Sequence, residues 1–334
     1  MAVAPIPSTR LAVLALDACD AGLIRDLVGQ GDCPNLARLM GEGAVVDTVA
    51  PYGTFVGSSW VTITTGVEVE THQDWNWLVV DPATYALPPT SPRESRRPPF
   101  WEALSDAGRR VAVFDVPHAE VPERLNGVLV KEWGCHDRHH GTASHPVSLR
   151  HEIEQRVGPH PFGSMDHPEG NDAFAPCDYT LRAGAVRTRI EEHRLQEAII
   201  RGVHVKRTAS LDLLEREPWD LFLSVHGESH CVGHQLWHVH DELHQRHDPV
   251  TRRLLGDPVV EVYRELDASI GAHLERLGED TVVWVLMNHG MGPHHDGDHL
   301  LDEILRRLDI GGDIPPCAQL HAGGREAHVG TLCH

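Results

Sequence analysis

Three apolar runs in this chain end in residues that bind metals or move protons. Val282 to Met287 is followed at once by Asn288 and His289, Leu11 to Leu16 by Asp17, and Leu221 to Val225 by His226, Glu228, His230 and His234. Open α/β sheets keep their ligand sites just outside the carboxyl ends of their strands, so these groups suit one metal centre assembled from distant parts of the chain. His230 and His234 are four residues apart and fall on one face of a helix, as two imidazoles chelating zinc require. In a chain with 26 histidines the competing reading is a pair of polar surface side chains. Asp17 also has a competing reading, as the N-cap of the helix that follows it. Asn288 and His289 come directly after six apolar residues, where a polar pair suits a core poorly and a functional role is favoured.

A second group offers nucleophiles. Thr54, Ser58 and Ser59 flank Gly57 ahead of a helical stretch that runs to Thr65. A hydroxyl at a helix N-terminus is favoured as an alkoxide, because free N–H groups and the macrodipole stabilise negative charge there. Ordinary serine capping is the alternative. Ser58 is preferred of the three, since it follows a glycine that lets the backbone approach a phosphate closely.

Strands alternating with helices would carry these residues. The pattern predicts strands at Leu11–Leu16, Ala44–Val46, Arg110–Asp115, Gly127–Val130, Leu221–Val225 and Val282–Met287. It predicts helices at Ala21–Val28, Leu36–Met40, Ser58–Thr65, Phe100–Ala107, Leu181–Arg216, Pro258–Leu277 and Leu300–Leu308. The fold class is therefore α/β, a mostly parallel central sheet covered by helices on both faces, as one domain over residues 10–310. The His- and Pro-rich stretch 136–176 reads as an irregular insertion serving as a cap or lid, and residues 311–334 as an irregular tail.

The formal net charge of −20 opposes general binding to nucleic acid or to an anionic membrane, either of which needs a basic surface. Seven scattered cysteines without a CxxC pair outline neither a disulfide scaffold nor a zinc ribbon. No apolar run is long enough to span a bilayer, and the expectation is a cytoplasmic protein.

Several of these stretches carry a resemblance. LALDACDAGLIRDLVGQGDCPNLARLMGEGA is similar to the opening of the type I phosphodiesterase/nucleotide pyrophosphatase branch of the alkaline phosphatase superfamily, where a strand ending in LDG or LDA precedes PNLxxLxxxGA. SSWVTITTG with His72, WDLFLSVHGESHCVGHQLW and VLMNHGMG follow in the order of that branch's nucleophile helix and its DxxxH and SDHGMG ligand pairs. The resemblance implies a metal-dependent hydrolase that passes a phosphoryl group from a small phosphate mono- or diester to Ser or Thr and then to water. It also implies one or two divalent ions, usually zinc. Asp17, Asn288 and His289 would form one metal site; His230, His234 and a late histidine, His328 before His321, would form the other.

Three positions depart from that pattern. Val56 stands in the usual nucleophile register, so Thr54, Ser58 or Ser59 must serve through a local shift. His230 and Asn288 stand where the family has aspartates, which weakens the hold on two dications and favours zinc over magnesium. These departures keep two alternatives open: a relative with the fold but impaired turnover, and a non-enzymatic metal-binding protein. The absence of C/S-x-P-x-R, GxGxxG and GxxxxGK[ST] gives no support to sulfatase, dinucleotide or P-loop chemistry.

Overall fold

The computed structural model describes residues 9–50, 56–75, 80, 81, 83, 84, 86, 97–135, 141–161, 187–293 and 304. All but Pro293 and Ile304 belong to one compact unit, Met1–Gly292; those two belong to a second, Pro293–His334. The elements in chain order are β1 (Arg10–Leu16), α1 (Ala21–Gln30), α2 (Pro34–Glu42), α3 (Ser58–Thr65), α4 (Val69–His72), α5 (Phe100–Asp106), β2 (Val111–Val116), β3 (Gly127–Lys131) and β4 (Ala143–His145). They continue with α6 (Leu149–Val157), α7 (Arg189–Arg216), β5 (Leu221–His226), α8 (Glu228–His240), α9 (Pro249–Leu255), α10 (Pro258–Leu274) and β6 (Thr281–Met287).

A strand buried on both faces reads as an unbroken apolar run, as RLAVLAL, VAVFDV and LFLSVH do. The sheet order is β4-β3-β2-β5-β1-β6. All neighbours are parallel except β4, which pairs antiparallel with β3. Alternation divides each strand between two cores. Leu14 and Leu16 of β1 pack with Phe114, Phe222, Val203, Leu236 and Val262, where α7, α8 and α10 cover the sheet. Val13 and Ala15 face the other way, onto Leu223, Val225, Trp60 of α3 and Trp101 of α5.

Three expectations are corrected. Residues 44–50 form no strand, and Val46 is exposed; β-branched residues without a neighbouring edge to pair with gain nothing from extension. Val282–Met287 is a strand but not a buried one. Among the described residues β6 pairs only with β1, and Trp284 is 60% exposed while Val283, Val285 and Met287 pack inward. Within 136–176, residues 141–161 are not irregular; they supply β4 and α6, and the remaining residues lie outside those described. The long helix starts at Arg189 with Thr188 and Glu191 forming a capping box. Of Leu300–Leu308 only Ile304 is described, and it is helical. No helix among the described residues is long and apolar enough to cross a membrane.

One buried ion cluster fixes the start of α8. Lys206, one of two lysines in the chain, lies on the apolar stripe of α7 with Ile199, Val203 and Leu213. Its Nζ is 2.7 Å from Asp115 Oδ2 on β2 and 3.0 Å from Glu228 Oε1 at the head of α8, and it donates to Gly134 O at 3.0 Å. His160 Nε2 is 3.1 Å from the same Glu228 oxygen. Burial would lower the Lys206 pKa, but Asp115 and Glu228 hold it above the usual range. Burial would likewise raise that of Glu228, and Lys206 brings it down to about 2.

Two measurements follow from this packing. Lys206→Met would leave two buried carboxylates without their cation and should cost about 3–5 kcal/mol in urea denaturation, with Glu228→Gln on that background recovering part of it. The second concerns His273, whose Nδ1–H donates to Ser269 O at 2.7 Å and whose Nε2 lies 2.8 Å from Ser210 Oγ. Burial pushes this imidazole down to about 4. The unfolded chain takes up its proton near pH 6.5 and the folded chain resists, so stability contributed above that pH is lost as pH falls towards about 4. A urea series from pH 7 to pH 5 should therefore lose roughly 1.4 kcal/mol per pH unit below about 6.5 through this group, and His273→Gln should flatten the slope by that amount.

Candidate functional site

Parallel register places three strand tips side by side. Leu16 is paired with His226 of β5 and with Met287 of β6, so Asp17, the β5–α8 turn and Asn288 emerge together at the carboxyl edge. Asp17 N donates to His226 O at 2.9 Å, and Ser229 Oγ donates to Asp17 O at 2.6 Å. Ala18 then takes φ +50°, a left-handed conformation that costs a residue with a Cβ about 1 kcal/mol and turns the chain sharply away. The cap of α1 is Asp20, which accepts from Leu23 N, so Asp17 is not spent on capping.

The Asp17 carboxylate is buried and receives three donors. Trp60 Nε1 reaches Oδ1 at 2.9 Å, Asn288 Nδ2 reaches Oδ1 at 2.8 Å, and His230 Nδ1 lies 2.7 Å from Oδ2. Burial alone would raise its pKa; the His230 imidazole and these hydrogen bonds hold it well below the usual carboxylate range. Asn288 is itself fixed, its Oδ1 accepting from Ala18 N at 3.0 Å and its Nδ2 reaching Ser59 Oγ at 3.3 Å.

On α8 the His230 and His234 Nε2 atoms stand 3.0 Å apart. Gly233 lets this turn approach the segment after β6, because a Cβ there would lie 2.4 Å from Met291. His289 donates from Nδ1 to Gly290 O, and its Nε2 is 4.0 Å from Asp17 Oδ1. Asp17, His230 and His289 each offer a ligand atom within 4.8 Å of the others. Imidazole nitrogens beside a carboxylate suit a nitrogen-accepting divalent ion such as zinc, so the residues present fit one ion.

The structure thus gathers Asp17, His230, His234, Asn288 and His289. Of the hydroxyls it brings Ser59 to this group, bonded to Asn288 and donating to Val56 O at 2.6 Å. Ser58, the one preferred from sequence, instead faces Asp74 at 3.5 Å, since adjacent helix positions point about 100° apart. His72 braces α3 through Thr62 Oγ1 at 2.9 Å. Thr54, His321 and His328 lie outside the described residues. Trp60 escaped the sequence reading. Its signal was a tryptophan one residue past the two serines, on a helix that meets the sheet.

A family model described as type I phosphodiesterase / nucleotide pyrophosphatase matches residues 11–329. Two solved structures of phosphonoacetate hydrolase from Sinorhizobium meliloti 1021, in complex with phosphonoformate and with phosphonoacetate, share 18% identity with the chain at a TM-score of 0.50. The alignment covers 90% of this chain and 62% of each of those, so the chain spans under two thirds of their length. No curated protein matches. A family match over almost the whole sequence leaves one assignment: the chain belongs to the type I phosphodiesterase / nucleotide pyrophosphatase family of the alkaline phosphatase superfamily.

Proposed function

We propose that the chain is a metal-dependent hydrolase of small phosphate mono- or diesters that works through a phosphoserine intermediate on Ser59. The observation that carries this reading is the meeting of a hydroxyl, Ser59 Oγ, with the Asn288, Asp17 and His230 chain of contacts at the carboxyl edge of the sheet. A divalent ion, zinc by the donor set, would supply positive charge against the phosphoryl oxygens when bound. Its holders are drawn from Asp17, His230, His234 and His289, with His328 as the family's late histidine.

Ser59 Oγ would attack phosphorus while the ester oxygen departs with a proton, and water would then cleave the new O–P bond to restore the hydroxyl. The Asn288 amide orients Ser59 by donating to its lone pair, while the hydroxyl proton is held by the Val56 carbonyl. The phosphonate ligands of the structural neighbours point to the same class, a tetrahedral phosphorus oxyanion. A cytoplasmic setting is in keeping with Cys19 and Cys33, thiols kept protonated by burial, the latter with its pKa pushed up to about 12.

Turnover of bis-p-nitrophenyl phosphate and p-nitrophenyl phosphate by the zinc-loaded chain tests this. Ser59→Ala should lower kcat by about a thousandfold or more, and Ser58→Ala should leave most of it. Full activity in Ser59→Ala would remove the proposed nucleophile. No turnover by the parent would favour the alternative of a relative that keeps the site without the chemistry.

A further inference from the structure

A pair of ions beside Asp17 meets an obstacle in the donors already there. A carboxylate oxygen has two lone pairs, and those of Oδ1 are taken by Trp60 Nε1 and Asn288 Nδ2. The amide cannot turn round: its oxygen is needed by Ala18 N–H, and reversal would set that oxygen against the carboxylate. Asn288 therefore presents N–H groups, not lone pairs, to Asp17 and Ser59. An aspartate in its place would need a cation between two like charges, whereas the amide bonds to Asp17 directly.

His230 points the other way with its second nitrogen. Its Nδ1–H serves Asp17 Oδ2, and its Nε2 lies 3.0 Å from His234 Nε2. Two nitrogens around one tetrahedral zinc stand about 3.3 Å apart, given Zn–N bonds of about 2.0–2.1 Å. Carboxylate, imidazole and metal in line is how metal-bound histidines are held in orientation.

We infer that the centre takes a single divalent ion on His230 Nε2 and His234 Nε2, with Asp17 as a positioning residue behind His230 and the Asn288 amide occupying the place of a second ion. This rests on the metal-dependent reading and narrows it: Asp17 and Asn288 are not ligands, although their positions in the family pattern imply that they are. His289, with Nδ1 committed to Gly290 O, keeps its Nε2 4.0 Å from Asp17 Oδ1.

The test is a zinc titration of the full chain, made without a polyhistidine tag and stripped with chelator, followed calorimetrically and by elemental analysis after gel filtration. One tightly held zinc per chain is expected. His234→Ala should weaken it at least about a hundredfold, whereas Asp17→Asn should keep one ion at about 10–100-fold lower affinity. Asn288→Asp should admit a second. Two tight ions in the parent, none, or loss of the ion in Asp17→Asn with normal binding in His234→Ala would each overturn the inference. Circular dichroism checks that the variants are folded, and the parent stoichiometry needs no variant. Turnover in the same samples separates the two readings: one ion without hydrolysis sinks the function proposed above, and two ions with hydrolysis sink only this inference.

Discussion

A carboxylate at the end of a buried strand can stay ionised only if donors replace the water it has lost, and Asp17 sets that requirement for everything around it. Trp60 on α3, Asn288 after β6 and His230 on α8 answer it from three elements that are far apart in the chain. Two of these donors are in turn held in place: Asn288 by the Ala18 backbone N–H, His230 by the first turn of α8. The site is thus rigid because one charge has been fully solvated by protein, and a fully satisfied buried network specifies a single arrangement.

A second charge system lies close along the same helix. Glu228, two residues before His230, is tied through Lys206 to Asp115, so α8 is fixed at its head by ions and in its next turn by the Gly233 contact with Met291. Losing either member of such a cluster is costly, although the intact cluster adds little net stability. Its contribution is placement, since it ties the helix that carries two imidazoles to the neighbouring strand.

Much of this was legible in the residues. Asp17 and Asn288 could be placed at strand tips because, in a parallel sheet, an apolar run that stops at a polar group marks the point where the strand leaves the core. Lys206 was legible but overlooked: it falls in phase with Ile199, Val203 and Leu213, and a lysine on an apolar stripe announces a buried partner. The choice between Ser58 and Ser59 was not legible, because it depends on how α3 is rotated against the sheet by Trp60. Nor was the orientation of the Asn288 amide, which is decided by a backbone N–H 270 residues away. The edge formed by β4 and α6 was hidden by a short polar strand, whose formation rests on β3 rather than on its own composition.

The separation of 271 residues between Asp17 and the amide that completes its shell also bears on how the molecule is made. During synthesis β1 leaves the ribosome long before β6 exists, and β1 waits with its neighbour on that side missing. Until Asn288 arrives, the Asp17 carboxylate lacks a donor and Ala18 lacks an acceptor, so the strained turn between them has little to hold it. The chemistry-bearing edge is therefore completed late, when β6 pairs with β1 and brings Asn288 and His289 to the residues already in place.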